Sequence, residues 1–266
     1  MARSRRLTSP VVNRPAWYRA IRSRLSGTKA PQSGADQPPE VAWQAAIDGE
    51  VGFWRNWLTT KGERFPGSYD RAFNADLPLQ SEIAALLDAP DGSTVKLLDV
   101  GAGPLTFLGR KHPTLTLDIT AVDALGRQYG EILDEAGVAP PVRTQACESE
   151  RLSKLLPADS FDLVAARNTL DHSYDPIRAI SEMLVCAKPG APLVLIHHPN
   201  EAVREGYRGM HQWNFEVVDG AFMIWRPGTR TNVAETLAPR ATVEKTWAEE
   251  TWEYIVIRKA VSEATV

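Results

Sequence analysis

At 266 residues with 43% hydrophobic content, the chain is long enough to bury one substantial core. A net charge of −3 gives no electrostatic reason to expect nucleic acid or membrane insertion. Two cysteines, Cys147 and Cys186, are too few for a disulfide framework and fit a reducing, cytoplasmic setting. No stretch reaches the ~18 apolar residues of a membrane span, and the N-terminus lacks the apolar core of a secretory signal.

In chain order, residues 1–40 come first and mix Arg, Ser, Pro and Gly. They set eight Lys or Arg against Asp36 and Glu40, which predicts a basic, flexible tail. A short amphipathic island around Trp17 to Leu25 could dock on a partner. Residues 41–90 read as a helical cap. Val41, Ala45, Ile47, Val51, Trp54 and Leu58 recur at helical intervals with Gly62 as a stop, and a second helix is expected from Leu79 to Leu87 with Ser81 as its N-cap.

From residue 95 onward, apolar runs alternate with helical stretches. Val95–Val100, Asp118–Val122, Val142–Cys147, Phe161–Ala166 and Leu193–Ile196 read as strands. Helices are expected near Pro104, over Arg127–Ala136, near Leu152–Leu156 and over Pro176–Ala187. This spacing predicts a doubly wound α/β domain over 91–266 with a mostly parallel sheet. Trp213–Val218 and Ala221–Arg226 flank Asp219–Gly220, a hairpin signal inside an insertion at 199–229. Ala241–Trp247 and Trp252–Ile257 read as two closing strands.

The segment Leu97-Leu98-Asp99-Val100-Gly101-Ala102-Gly103-Pro104 ends the first strand in a glycine turn, where open α/β sheets bind ligands. A dinucleotide pyrophosphate would be repelled by Asp99, two residues before the first glycine. The ammonium and sulfonium of S-adenosylmethionine would be attracted by it. Thr106, at a position that is glycine or alanine in the dinucleotide fingerprint, also argues against that rival. Asp123 ends the second strand, 20 residues after Gly103, where it could take both ribose hydroxyls. Glu148 follows the third strand, in reach of an adenine amino group.

These motifs, LLDVGAG, AVDA, CESERL, FDLVAARNTLDH and EMLVCAKPGAPLVLI, make residues 95–198 resemble the class I S-adenosylmethionine-dependent methyltransferases. The resemblance implies a seven-stranded Rossmann-like sheet. It also implies cofactor contacts from Asp99, Gly101 and Gly103, ribose contacts from Asp123, adenine contacts from Glu148 and Ser149, and a methionyl neighbour in Arg167 or Asn168. The chain departs from the family pattern at Leu105, where a third glycine is common, and at Cys147, where glycine usually precedes the adenine-side acid.

A hydroxyl acceptor would need a base. Candidates are His172 with Asp171 after the fourth strand, His197 and His198 after the fifth, and His211 beyond. A histidine–carboxylate pair could instead hold a divalent metal such as Mg2+ against adjacent hydroxyls. The stretch Tyr207-Arg208-Gly209-Met210-His211-Gln212-Trp213-Asn214-Phe215 sets aromatic faces beside polar donors, which suits a sugar ring, with Tyr207, His211 and Trp213 as substrate contacts. The same aromatics could equally form the hairpin's own core, or a homodimer contact. GFWRNWLTTKGERFP and YRGMHQWNF are similar to bacterial sugar O-methyltransferases, the mycobacterial methylmannose polysaccharide enzymes among them. Rival expectations are a methyltransferase for a lipid, quinone or other small natural product, a nicotinamide-dependent oxidoreductase, and a non-catalytic cofactor-binding regulatory subunit.

Overall fold

The computed structural model describes residues 36–261. Residues 1–35 of the expected basic tail, with the island at Trp17–Leu25, lie outside the described residues. Helix α1 runs Pro39–Thr59 with proline at its first positions, where the missing N–H costs nothing. It ends as Gly62, at a φ of 68°, donates its N–H back to the Trp57 carbonyl. Short helices α2 (Ser68–Phe73) and α3 (Ser81–Ala84) follow. The second predicted helix is therefore only one turn long. Its N-cap is Gln80 rather than Ser81, and the Gln80 side chain instead clamps the Phe107 carbonyl and the Gly109 N–H.

The remaining elements are β1 (Thr94–Val100), β2 (Thr116–Asp123), α4 (Gly126–Glu135), β3 (Gln145–Ala146), β4 (Leu163–Arg167), α5 (Pro176–Cys186) and β5 (Pro192–His197). After them come α6 (Glu201–Glu205), β6 (Asn214–Val218), β7 (Ala221–Arg226), β8 (Thr229–Asn232), α7 (Val233–Leu237), β9 (Ala241–Glu249) and β10 (Trp252–Lys259). Seven strands form one sheet in the order β3-β2-β1-β4-β5-β10-β9. Strands β1 to β5 pair in parallel, and β10 and β9 close the edge antiparallel. This is the doubly wound sheet expected from the alternation of runs. The insertion folds as expected around Asp219–Gly220, both at positive φ, but a third strand, β8, extends the hairpin to a three-stranded sheet.

Three local expectations are corrected. No helix opens at Pro104, and residues 104–113 form an irregular loop. The loop is locked by Asp99, which accepts from the Thr106 hydroxyl at 2.5 Å and the Phe107 N–H at 3.2 Å. The third strand shrinks to two residues, with Arg143 bridged instead to Leu105 and the Thr144 hydroxyl donating to the Gly103 carbonyl. The helix near Leu152 is a 3-10 segment, Ser149–Lys154, broken by non-helical angles at Arg151.

Strand alternation sorts the core into two faces. Leu98 and Val100 of β1, Val164 and Ala166 of β4, and Leu193 and Leu195 of β5 pack with α5 and with Phe215 and Phe222 of the small sheet. Val95 and Leu97, Leu163 and Ala165, and Val194 and Ile196 face the other way, over Ile83, Leu108 and Tyr254. A third cluster joins Trp57 and Leu58 of α1 to Leu105, Tyr129, Ile132, Leu133 and Met210. Helix α1 thus covers the carboxyl edge of the sheet. Among the described residues, no helix is long and apolar enough to cross a membrane.

Candidate active site

A small, half-open cleft lies at the carboxyl ends of β1, β2 and β4. Gly101, Asp123, Ser149 and His172 of the predicted site residues line it. Each Asp123 oxygen already takes one backbone N–H, Oδ2 from Gly103 at 3.0 Å and Oδ1 from Leu125 at 2.8 Å. Two lone pairs remain for hydroxyl donors. Burial pushes this carboxyl up to about 6, against the lowering effect of those two N–H groups.

The glycine turn is tightly roofed. Gly101 and Gly103 both sit at positive φ. A Cβ on Gly101 would collide with the Thr169 side chain, and one on Gly103 would come within 3.2 Å of the Trp54 indole. Gly101 therefore admits Thr169 at a distance that any other residue would forbid, and Gly103 gives Trp54 a close approach that a Cβ would crowd.

Asp99 does not face the cleft. It shares strand parity with Val95 and Leu97, so its carboxyl points into the opposite face, fully buried on the 104–108 loop. Burial raises it to about 7, and its Oδ1 has no hydrogen-bond partner. Arg167 has the same parity in β4 and stacks over the rings of Phe107 and Trp252, at 5.6 and 4.6 Å from their centroids. Asn168 adopts a positive φ at the strand end, with its Oδ1 buried and unpartnered. Glu148 accepts from the Tyr174 hydroxyl at 2.8 Å and pairs with Arg151 at 3.2 Å. Ser149 donates to Glu150, whose other oxygen takes the Tyr174 and Asp175 N–H groups.

Asp171, His172 and His211 converge. Asp171 Oδ2 lies 2.7 Å from His211 Nδ1 and 3.5 Å from His172 Nε2, and the two nitrogens are 3.1 Å apart. The Gln212 and Trp213 N–H groups donate to the Asp171 carbonyl, which pins the segment carrying His211 onto the turn Leu170–His172. Burial alone would raise the Asp171 carboxyl, but His172 and His211 hold it well below the usual carboxylate range. Burial opposes charge on His211, yet the Asp171 hydrogen bond carries its ring up to about 9.

His198 does not join this cluster. It stacks on Trp252 with centroids 3.6 Å apart, and its Nδ1 lies 2.8 Å from the Thr251 carbonyl oxygen. His197, of the other parity, lies buried against Phe215, and burial lowers its ring to about 4. Tyr207 and Trp213 serve the insertion itself. The Tyr207 hydroxyl accepts from Asn214 at 2.9 Å, and Trp213 packs on the core beneath Arg226. Sequence reasoning missed Trp43, Tyr129, Glu150, Thr169 and Met210, which also line the cleft. Trp43 carried a signal, since it falls on the helix predicted to cover this edge.

Residues 98–195 match the family model of a methyltransferase domain. No curated protein matches the chain. Among solved structures, the chain is similar to a SAM-dependent methyltransferase from Aquifex aeolicus at 15% identity and a TM-score of 0.43, covering 76% of this chain and 98% of that one. It is also similar to the N-methyltransferase NodS of Bradyrhizobium japonicum, solved with S-adenosyl-L-homocysteine, at 17% identity and a TM-score of 0.39, covering 62% and 78%. Against the CurJ carbon methyltransferase the identity is 18% and the TM-score 0.43, over 65% of this chain; the chain spans only half of that protein's length. The sheet and the matched segment define an enzyme of the methyltransferase class.

Proposed function

We propose that the protein transfers the methyl group of S-adenosylmethionine to a hydroxyl of a small saccharide or glycoside in the cytoplasm. The observation that carries this reading is the approach of His172 and His211 to Asp171 at the edge of the cleft. Methylation of a thiolate or of a neutral amine needs no such group, whereas an aliphatic hydroxyl must shed its proton as the C–O bond forms. In the transfer, the acceptor oxygen attacks the methyl carbon and the C–S bond electrons return to sulfur. The thioether leaves neutral, and the hydroxyl proton is lost at the cluster and goes on to solvent.

In this reading Asp123 takes the ribose hydroxyls, Ser149 and Trp43 bracket the adenine, and Gly101 with Thr169 borders the methionyl group. Asp99, Gly103, Arg167 and Asn168 support the loops that make this surface. Desolvation under α1 and alignment along the S–C–O line supply the rest. The saccharide rests against Met210 and His211, the residues of 207–215 nearest the cleft, while Tyr207, Trp213 and Phe215 hold the insertion in place. The two unpaired cysteines fit a cytoplasmic enzyme.

The test is a screen with methyl-labelled donor against saccharides, quinols, lipids and amines. Label in an alkali-stable ether of a sugar supports the reading. Transfer to a quinol or lipid alone replaces the saccharide, and transfer to nitrogen alone overturns the hydroxyl chemistry. With the acceptor in hand, His172→Ala lowers kcat about 10²- to 10⁴-fold.

A further inference from the structure

The three atoms that meet at Asp171 are Oδ2 of the carboxylate, Nε2 of His172 and Nδ1 of His211, with separations of 2.7, 3.1 and 3.5 Å. Among the described residues this is the one group of three such side chains whose ligating atoms close on a common point. Around a cation with ~2.1 Å bonds, neighbouring donors stand about 3.0 Å apart in an octahedron and about 3.4 Å in a tetrahedron. The observed triangle spans that range.

Proton sharing accounts for the triangle less well. A hydrogen on His211 Nδ1 can point well at Asp171 or at His172, not at both. A hydrogen on each facing nitrogen would set the two N–H groups against each other. One cation satisfies all three acceptors at once. A second observation points the same way: Asp171 is 1% exposed, and its Oδ1 has no hydrogen-bond partner, so a fourth donor stands ready on the same carboxylate.

We propose that Asp171, His172 and His211 form a metal site for a divalent first-row cation of the Zn2+, Co2+ or Mn2+ kind. Two imidazoles and one carboxylate favour such ions over Mg2+, which demands oxygen ligands and keeps its waters. The site is built from two segments that the backbone hydrogen bonds from Gln212 and Trp213 to Asp171 hold together. His172 lines the cleft, so an ion held by these three residues would border the space where an acceptor would lie.

The catalytic role assigned to the ion rests on the hydroxyl-transfer reading; the metal binding does not. Held by Asp171, His172 and His211, such a cation would supply Lewis acidity that lowers the pKa of an acceptor hydroxyl beside it, so that its proton could be lost to solvent as the methyl carbon is attacked and the thioether leaves neutral. His172 and His211 are then ligands, not bases.

Binding is measured on the full, untagged chain, stripped with a chelator and without donor or acceptor. Titration with Co2+ is followed by visible absorption, Zn2+ by competition against it, and content by elemental analysis. One Co2+ per chain, with d–d bands displaced by one Zn2+, is expected. His172→Gln and His211→Gln, which preserve side-chain volume at half-buried positions, each weaken binding 10-fold or more, and the pair abolishes the bands. Asp171→Asn does the same; circular dichroism checks that this buried variant folds. Absence of stoichiometric binding, or binding that survives the double histidine variant, overturns the site. A folded parent that binds no metal yet methylates a sugar overturns this inference alone. A metal-loaded protein that transfers methyl only to nitrogen leaves the site standing and removes the catalytic role.

Discussion

In the proposed reading, Asp123 is the residue on which donor binding turns. Half-buried at the cleft wall and raised to about 6, it is mostly neutral at pH 5 and mostly ionised at pH 7.5. Only the ionised carboxylate offers an acceptor to both ribose hydroxyls while still holding Gly103 and Leu125. S-adenosylhomocysteine, whose own charges are constant over this interval, should therefore bind more tightly as pH rises from 5 to 7.5, by about 10-fold for loss of a charge-assisted hydrogen bond. Below pH 6 binding should release a proton, visible as a buffer-dependent heat in calorimetry. Asp123→Asn should flatten the profile at the weak end. A slope unchanged in that variant would move the titrating group elsewhere. Gly101 belongs to the same scale: Gly101→Ala drives a methyl into Thr169 and strains a φ of 68°. The double change Gly101→Ala with Thr169→Gly should regain part of the lost donor affinity, because it removes the collision and leaves only the strain.

At the scale of elements, α1 acts as the lid frame of the cleft. Its Trp43 lines the pocket, Trp54 leans on Gly103, and Trp57 and Leu58 anchor it to the third core cluster. These roles separate. Trp57→Ala should cost about 3–5 kcal/mol of stability, as for other buried aromatic deletions. Trp43→Ala, half-buried and at the pocket wall, should cost little stability and weaken S-adenosylhomocysteine binding severalfold, read by calorimetry beside thermal unfolding. Equal effects of both changes on unfolding and binding would show that α1 and the sheet melt as one unit.

The same scale explains what was legible in the sequence. Long periodic segments, α1, α4, α5 and four of the five parallel strands, followed from spacing because burial enforces their period, whereas the exposed third strand did not. The 104–113 loop did not, because its shape is set by hydrogen bonds from distant residues, Asp99 and Gln80. Within the site, strand parity was the unread signal. Leu195 faces the α5 side, so His197 does too, while His198 follows Ile196 to the Trp252 side. The same count turns Asp99 and Arg167 away from the cleft. The meeting of His211 with Asp171 depends on a pairing of loops 40 residues apart, which no local pattern encodes.

At the scale of the whole molecule, the sheet keeps a carboxyl inside one of its hydrophobic faces. Asp99 is fully buried with its folded value raised to about 7 from 3.8, mainly by burial. The sign follows from linkage: between those two values the folded state binds the proton that the unfolded state releases, so stability is greatest below pH 4 from this group and is lost as pH rises to 7. Glu253, less deeply placed and raised to about 7, works in the same direction. Each pH unit across the window costs up to about 1.4 kcal/mol per fully buried group. Asp171, held low by its two histidines, contributes in the opposite sense at stronger acid, and His197, lowered to about 4 by burial, also opposes them between about pH 4 and 6.5, offsetting part but not all of the loss from the two carboxyls. Thermal unfolding should accordingly fall between pH 5 and 7 in the parent. Asp99→Asn keeps an acceptor for Thr106 and Phe107 without a titrating proton, and it should unfold with a shallower dependence over that interval. A parent protein whose midpoint climbs from pH 5 to 7, or an Asp99→Asn profile parallel to it, would mean that the buried carboxyl is ionised in the fold and held there by a charge the loop does not supply.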